Sequence, residues 1–233
     1  MAVTKKTSQV NRISPNGQAE ASAHEGIIIE PIAPSIVIIP VVGLTPLLVC
    51  AWSQKAMQMM LDKQMKKAKR GREAKDPQAD YLASRYISTD GWDGCPAAGV
   101  KGALVNACRA VDGLPMTLAK RMLFVRGQGV DKKDGRALVK IEGEPKLHQA
   151  MVRLETGVAD VRFRAIYEKW ALTLEIEFLS SVISAEQVAN LVELAGWIEG
   201  LHEHRPGSPK SCTGDNGRFQ IKRDEMEVVG AKK

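Results

Sequence analysis

Residues 91–111, GWDGCPAAGVKGALVNACRAV, constrain the fold of this chain more than any other stretch. A glycine-rich turn tightens at Cys95 and Pro96, and proline suits the first turn of a helix because its missing N–H has no partner there. Apolar residues then recur three and four apart, which predicts a helix with one buried face. They are Val100, Ala103, Leu104, Ala107, Cys108 and Val111. Gly99 and Gly102 lower helix stability by roughly 1 kcal/mol each, so we expect another backbone or a ligand to approach them closely.

The composition is that of a large, basic globular domain. The chain has 233 residues, of which 44% are hydrophobic, and this is enough to build a sizeable core. Its net charge of +6 favours an anionic partner such as nucleic acid, although solubility alone also explains a mildly basic protein. Residues 1–26 are polar and lack the apolar segment of a signal peptide, so we expect them to form a flexible arm.

One run, residues 27–52, is strongly apolar. Four prolines divide it, and it never reaches the ~20 uninterrupted apolar residues that span a bilayer. Within it, residues 36–42 (IVIIPVV) are rich in β-branched side chains and predict a buried strand. Pro40 cannot donate a ladder hydrogen bond, which favours an edge position or a bulge for this strand.

The cysteines and histidines predict neither a metal site nor an enzyme. The four cysteines are scattered, form no CxxC pair and do not stand at metal-binding spacing from histidines. They are Cys50, Cys95, Cys108 and Cys212. We therefore expect reduced thiols, a cytoplasmic location and no cofactor. His202 and His204 adjoin a glycine-rich loop, but no partner is placed for acid–base catalysis, and no nucleophile elbow or Walker loop is present.

The second half of the chain has the clearest local patterns. Alternating apolar residues at 158–179 predict two half-buried strands joined at residues 167–169. Ser184 and Gln187 form a capping-box pattern that begins a helix over residues 185–198. Asp134 and Gly135, between two extended runs, predict a hairpin with a type I′ turn.

The first half carries a basic insert. Residues 54–69 predict an amphipathic helix whose apolar side consists of Met57, Met60, Leu61 and Met65. Residues 62–75 contain seven basic and two acidic side chains, an excess of five. Such a run is usually a solvated face, although mobile basic segments also track phosphates.

Together these patterns predict an α+β fold of ferredoxin-like (RRM-like) type, with an antiparallel sheet and helices on one face. We expect a single domain over residues 27–223, with the basic insert at about 54–90, a protruding hairpin at about 126–142, and a tail at 224–233.

Two segments resemble the RAMP superfamily, the RNA-binding proteins of CRISPR effector complexes. Residues 95–111 resemble its "IPGSSLKGALR" segment, and residues 204–221 resemble its glycine-rich loop and last strand. The matching positions are Pro96, Ala98, Lys101, Gly102, Ala103, Leu104, Arg109, Gly207, Lys210, Ser211, Gly217, Arg218 and Phe219. The superfamily motif has an aliphatic residue where this chain has Cys95. The residues from Thr213 to Asn216 interrupt the run of glycines and arginines that the second motif has. The chain from residue 36 to 222 also looks like phage-encoded proteins that share both motifs.

The resemblance implies that both segments lie together on the sheet, and that the hairpin at 130–139 corresponds to a thumb that divides a bound strand. Glycine-rich backbone and a helix N-terminus attract phosphates. Candidate contacts are Lys101, Arg109, Lys120, Arg121, Lys132, Lys133, Arg205, Gly207, Lys210, Ser211 and Arg218, with Trp92 stacking on a base.

The leading hypothesis is a non-catalytic protein that binds single-stranded RNA or DNA and oligomerises into a filament along it, similar to an effector backbone subunit. Other effector subunits are further expected partners, and the expected setting is a bacterial host cell, with the gene encoded by the host, a phage or a mobile element. Alternatives are a phage protein that binds or anneals single-stranded DNA, a histidine-dependent endoribonuclease, and a structural phage protein that assembles without nucleic acid.

Overall fold

The structure, a computed structural model, describes residues 32–52, 54–67, 74–153, 157–209 and 212–230. The predicted arm at 1–26, most of the basic run, and Lys210 and Ser211 lie outside these residues. Ile32–Lys233 form one compact unit. This unit is a mixed α and β structure with antiparallel sheets.

The elements follow one another along the chain, and two single-turn 3-10 helices, Cys108–Ala110 and Arg223–Glu225, accompany them. In chain order they are β1 (Pro34–Gly43), β2 (Leu47–Val49), α1 (Gln54–Gln64), α2 (Pro77–Ala83), β3 (Gly94–Pro96), α3 (Ala97–Ala107), α4 (Met116–Met122), β4 (Leu123–Arg126), β5 (Gly129–Val130), β6 (Ala137–Lys140), β7 (Pro145–Arg153), β8 (Ala159–Tyr167), β9 (Ala171–Leu179), α5 (Ala185–Ile198), β10 (Phe219–Ile221) and β11 (Glu227–Val229).

The central sheet has the strand order β10-β1-β9-β4, and every neighbouring pair is antiparallel. Alternate residues of β1 and β9 are fully buried, as the two-residue period of a strand requires. They are Val37, Ile39, Val41, Leu172, Leu174, Ile176 and Phe178. The apolar faces of α3 and α5 complete this core, which confirms both predicted helices. The capping box of Ser184 and Gln187 is present as predicted.

Pro40 lies in a central strand, not at the predicted edge or bulge. On one side β1 pairs with β9 without interruption. On the other side it pairs with β11 at Ile36–Ile38 and with β10 at Val41–Gly43. Pro40 falls between these two partners, and its carbonyl accepts a hydrogen bond from Lys222 N at 2.9 Å. The missing N–H therefore faces a gap in the ladder and removes no hydrogen bond.

Two smaller sheets flank the central one, with the orders β2-β8-β7 and β3-β6-β5. The predicted strands of residues 158–179 are β8 and β9, but they belong to different sheets. The hairpin predicted at 126–142 is present, because β5 and β6 pair antiparallel, but it does not protrude as predicted. Leu138 and Val139 are fully buried, Asp131 is 2% exposed, and β6 pairs with β3. The loop at residues 131–136 is also too long for the predicted two-residue turn.

Helix α1 confirms the predicted helix, but not a buried apolar side. Met57, Met60, Leu61 and Met65 are all more than two-fifths exposed. The apolar residues of this helix are therefore at the surface, within the predicted insert.

Candidate nucleic-acid interface

Several loops meet at one end of the central sheet. The strand register places Gly43, Ala171 and Phe219 side by side, so the loop after β1 and the loops before β9 and β10 gather there. Hydrogen bonds tie the first of these loops to the last: Leu44 N donates to Arg218 O at 2.8 Å, and Gly217 N donates to Pro46 O at 2.8 Å. The glycine-rich loop that follows α5 is thus fixed at this end.

Tyr86 lies between the two segments that the sequence singled out. Its carbonyl accepts a hydrogen bond from Gly94 N at 2.9 Å, immediately before the turn into α3. Its ring lies 6.0 Å from the ring of His202, in the loop after α5. The guanidinium of Arg136 lies over the same ring, 5.3 Å from its centroid. Tyr86 therefore contacts the residues just before both segments, Gly94 through its carbonyl and His202 through its ring, and the ring also contacts a cation from the turn before β6.

A partly buried ion pair fixes the backbone around Tyr86. Arg85 donates from Nε and Nη2 to the two oxygens of Asp93, at 2.8 and 2.7 Å. Bidentate geometry of this kind is strong and specific. Burial raises the pKa of the Tyr167 hydroxyl beside this pair, and the nearby Asp93 raises it further. The loop that carries Tyr86 is therefore held rigidly.

A shallow depression opens at the N-terminus of α3. It is lined by Pro96, Ala98, Asp134, Arg136 and Ala137. Arg136 Nε donates to both carboxylate oxygens of Asp134, at 2.9 and 2.8 Å, which lowers the pKa of that carboxyl. No side chain caps the first turn of α3. Its uncapped N–H groups and the guanidinium of Arg136 make this depression suitable for an anion.

The glycines on the outer face of α3 lack the close backbone neighbour that the sequence predicts. A Cβ added to Gly99 or to Gly102 would meet nothing within 4 Å. Neither the glycine-rich loop nor any other described backbone therefore approaches these glycines. Ala98 and Gly99 are exposed at the start of the helix, and Arg109 is exposed just beyond its end. The helix thus presents a strip of backbone covered by very small side chains.

Lys101 projects from α3 onto an aromatic ring. Its ammonium lies 4.2 Å from the centroid of Phe124, a side chain that is 49% exposed on β4. Burial lowers the pKa of Lys101, and the like charge of Lys120 lowers it further. Lys120 and Arg121 are both exposed in the last turn of α4. Cations and a ring surface are thus adjacent here, a combination that suits phosphates and bases.

The glycine-rich loop is packed more tightly than its composition suggests. Gly207 N donates to Glu199 O at 3.0 Å, and a Cβ on Gly207 would overlap the carboxylate of Glu199. An added Cβ on Gly214 would overlap the carbonyls of His204 and Arg205. The N–H group of Gly207 donates to the end of α5 and that of Gly217 donates to the loop after β1, so neither is free for a phosphate. The glycines allow close packing, and the cations remain as the phosphate-attracting groups.

Arg205 and Arg218 are the two cations of the loop that the structure describes. Arg205 is half-buried, and its Nη1 donates to His202 O at 2.8 Å. Arg218 pairs with Asp215 at 3.1 Å and lies over the ring of Trp197, 4.1 Å from the centroid. Trp197 is 61% exposed at the end of α5.

The remaining candidates are divided between the surface and the interior. Lys132 is exposed. Lys133 Nζ donates to the carbonyls of Ala83 and Arg85, both at 3.0 Å, and burial lowers its pKa. This ammonium therefore holds the hairpin against the body of the protein. Trp92 is half-buried and its ring lies against Gly129, so it packs within the fold.

The histidines of this region are not arranged as an acid–base pair. His202 has a positive φ of 61°, and its Nε2 is buried without a hydrogen-bond partner in the described part of the chain. Burial lowers the pKa of His202 to about 4, and the nearby Arg205 acts in the same direction. His202 is therefore neutral at neutral pH. His204 is exposed, also at positive φ, and His148 lies in β7, away from this loop in the chain.

Compared with known proteins, the chain matches no family model and no curated protein. Across the described ranges, no three His, Cys, Asp or Glu side chains group closely enough to hold a metal ion. None of the described helices is long and apolar enough to cross a membrane.

Sequence reasoning missed four residues of this region: Tyr86, Phe124, Arg136 and Trp197. Each aromatic ring meets a cation that is distant in the sequence, so no local pattern marks the pair. The sequence places each of these aromatic residues within or beside a predicted strand or helix. It does not identify the cation that the ring contacts.

Proposed function

We propose that this chain is a non-catalytic protein that binds single-stranded nucleic acid and oligomerises along the strand, similar to the guide-RNA-binding backbone subunit of a CRISPR effector complex. The order β10-β1-β9-β4 supports a ferredoxin-like scaffold. In that fold, one helix connects the first and second strands and another connects the third and fourth. Here α3 lies between β1 and β4 in the chain, and α5 lies between β9 and β10.

The approach of both motif segments to Tyr86 carries the proposal, because Gly94, just before the first, and His202, just before the second, contact it. Around it lie an uncapped helix N-terminus, the exposed guanidinium of Arg136, and Arg205 of the glycine-rich loop, which is hydrogen-bonded to His202 O. Lys101, Phe124 and Lys120 extend this surface along α3. A groove of cations next to aromatic rings is how proteins bind single strands without reading their sequence. We call the surface formed by these residues the α3 surface.

The salt dependence of oligonucleotide binding tests the proposal. Each phosphate that the protein neutralises releases counterions, so the affinity for a fluorescent 20-mer should fall steeply between 50 and 200 mM salt, by about 10³-fold if roughly six phosphates are contacted. An affinity that does not change with salt would refute phosphate binding. Competition between RNA and DNA of matched sequence then separates an effector-like subunit from a protein that binds single-stranded DNA.

Two arginines provide a matched pair for locating the strand. Arg136 lies in the α3 surface, paired with Asp134, and Arg162 lies on β8 in another sheet, paired with Asp160 at 3.7 Å. Their side chains are 45% and 43% exposed. Arg136→Gln should weaken binding and reduce the salt slope by about 1, while Arg162→Gln should leave both unchanged. Equal effects of the two substitutions would show that the bound nucleic acid does not lie on the α3 surface.

The neutral ring of His202, whose Nε2 is buried, supports the non-catalytic part of the proposal. A general base must reach the proton that it removes, and Nε2 of His202 is enclosed. Incubating the protein with labelled structured RNA should leave the RNA intact. If the RNA is cleaved and His204→Ala abolishes cleavage, the endoribonuclease hypothesis replaces this one.

A further inference from the structure

Gly196 brings the end of α5 unusually close to β10. A Cβ at this position would overlap the carbonyl oxygen of Phe219 and its ring. Only glycine lets the helix approach the strand to this distance. The next residue of the helix, Trp197, therefore lies directly beside Arg218, the residue before Phe219, and the pair follows from this one close contact.

Arg218 is fixed before any ligand arrives. Its backbone N donates to Thr45 Oγ1 at 3.0 Å, and its carbonyl accepts from Leu44 N at 2.8 Å. Its Nη1 donates to Asp215 at 3.1 Å, and its side chain is only 21% exposed. The guanidinium therefore has little freedom to lose on binding, which favours affinity.

Trp197 is different from Trp170 and Trp92, which pack within the fold. Trp170 is buried and donates from Nε1 to Thr45 O at 2.8 Å, and Trp92 packs against Gly129. Trp197 is 61% exposed, although the guanidinium of Arg218 covers one side of its ring at 4.1 Å. The opposite side of the indole is therefore in contact with solvent. A large flat apolar surface held next to a fixed positive charge has no function in the packing of the core.

We propose that Trp197 and Arg218 form a binding site for one nucleotide of a single strand, in which the base stacks on the open side of the indole and Arg218 attracts the adjoining phosphate. This inference rests on the proposed function and adds a contact that the sequence did not indicate. Stacking suits any base because every base has a π-face. Asp215 competes with the phosphate for Arg218, so Asp215→Asn should strengthen binding about two- to fivefold.

Trp197→Ala tests the stacking contact, and Trp52→Ala is its matched control. Trp52 is 59% exposed, and among the described residues no cation lies over its ring. Binding of a 20-mer and of an abasic 20-mer, which has the same phosphates without bases, is measured by fluorescence anisotropy. Trp197→Ala should weaken binding of the 20-mer about 5- to 150-fold. It should change binding of the abasic strand much less, and Trp52→Ala should change neither.

Tryptophan fluorescence provides a second readout. The 20-mer should quench the wild-type protein more than it quenches Trp197→Ala, and the circular dichroism of the variant should match that of the wild type. If the wild type binds the 20-mer and Trp197→Ala binds it equally well, this inference fails and the proposed function stands. If the wild type binds neither strand at low salt, both fail. If Trp197→Ala changes the sedimenting mass without oligonucleotide and leaves affinity unchanged, the indole is a protein contact and the stacking site is refuted.

Discussion

Replacing Gly99 and Gly102 by alanine should stabilise the protein and weaken its binding to nucleic acid. Both glycines are in α3 with ordinary negative φ, and an added Cβ at either would meet nothing within 4 Å. Gly102 is in the helix interior, where alanine is favoured by about 1 kcal/mol, and Gly99 is in the first turn, where we expect about half of that. The double variant should therefore gain about 1.5 kcal/mol, or about 3–6 °C in Tm for a domain of this size.

The same methyl groups should obstruct a strand that lies against the α3 surface. Overpacking a close contact typically costs about 1–3 kcal/mol, which corresponds to at least a fivefold loss of affinity. Thermal unfolding followed by circular dichroism and anisotropy with a labelled 20-mer measure the two effects. Gly196→Ala is the control for stability, and it should be destabilising because its Cβ would overlap Phe219.

Two results would refute this reasoning. A double variant that is no more stable than the wild type would show that the outer face of α3 is already occupied. A double variant that is more stable but binds the 20-mer with unchanged affinity would show that this face is not part of the interface.

Two further predictions concern charge. Burial lowers the pKa of His202 to about 4 from 6.5, so the unfolded chain binds the proton more readily: the free energy of unfolding should lose up to about 3 kcal/mol as the pH falls from 6.5 towards 4. His202→Asn keeps a residue that tolerates positive φ and should flatten the dependence of the free energy of unfolding on pH, measured by urea unfolding at several pH values. If His204→Asn flattens it equally, the effect does not come from His202. Lys101→Gln should reduce the salt slope of binding by about 1, whereas Lys63→Gln on α1 should leave it unchanged. An unchanged slope for Lys101→Gln would show that Lys101 contacts no phosphate.

Local patterns in the sequence predicted the elements that depend on local physics. The 3.6-residue spacing after Pro96 gave α3, and the pair Ser184 and Gln187 marked the start of α5, because the capping and burial of a helix are encoded within one or two turns. The alternation at residues 158–179 gave two strands, but it did not indicate that β8 and β9 enter different sheets. Strand partners are chosen by packing between distant segments, which a period of two does not record.

The roles of individual glycines were the least predictable part of the site. Gly99 and Gly102 were expected to permit a close contact, and instead they are open. Gly196 lies within the predicted helix at 185–198, where no local pattern marks its role, and it permits a close approach of α5 to β10. A glycine lowers helix stability whether its missing side chain leaves space for a neighbour or exposes backbone to solvent. Only the surrounding fold separates these two cases.

The charges on the central sheet indicate where a bound single strand of nucleic acid would lie. In RRM domains, bases stack on aromatic side chains of the open sheet face. Here the residues of β9 that alternate with its buried positions include Glu175 and Glu177, which lie beside Ile38 and Ile36 of β1. On the other side they lie beside Phe124 and Arg126 of β4, and Arg126 pairs with Glu177. The middle of this face therefore carries carboxylates and aliphatic side chains, which do not suit phosphates or bases, and the exposed ring of Phe124 lies at the β4 edge, under Lys101. The central sheet would then act as a scaffold, and the bound nucleic acid would follow α3 and the glycine-rich loop at the end of the sheet.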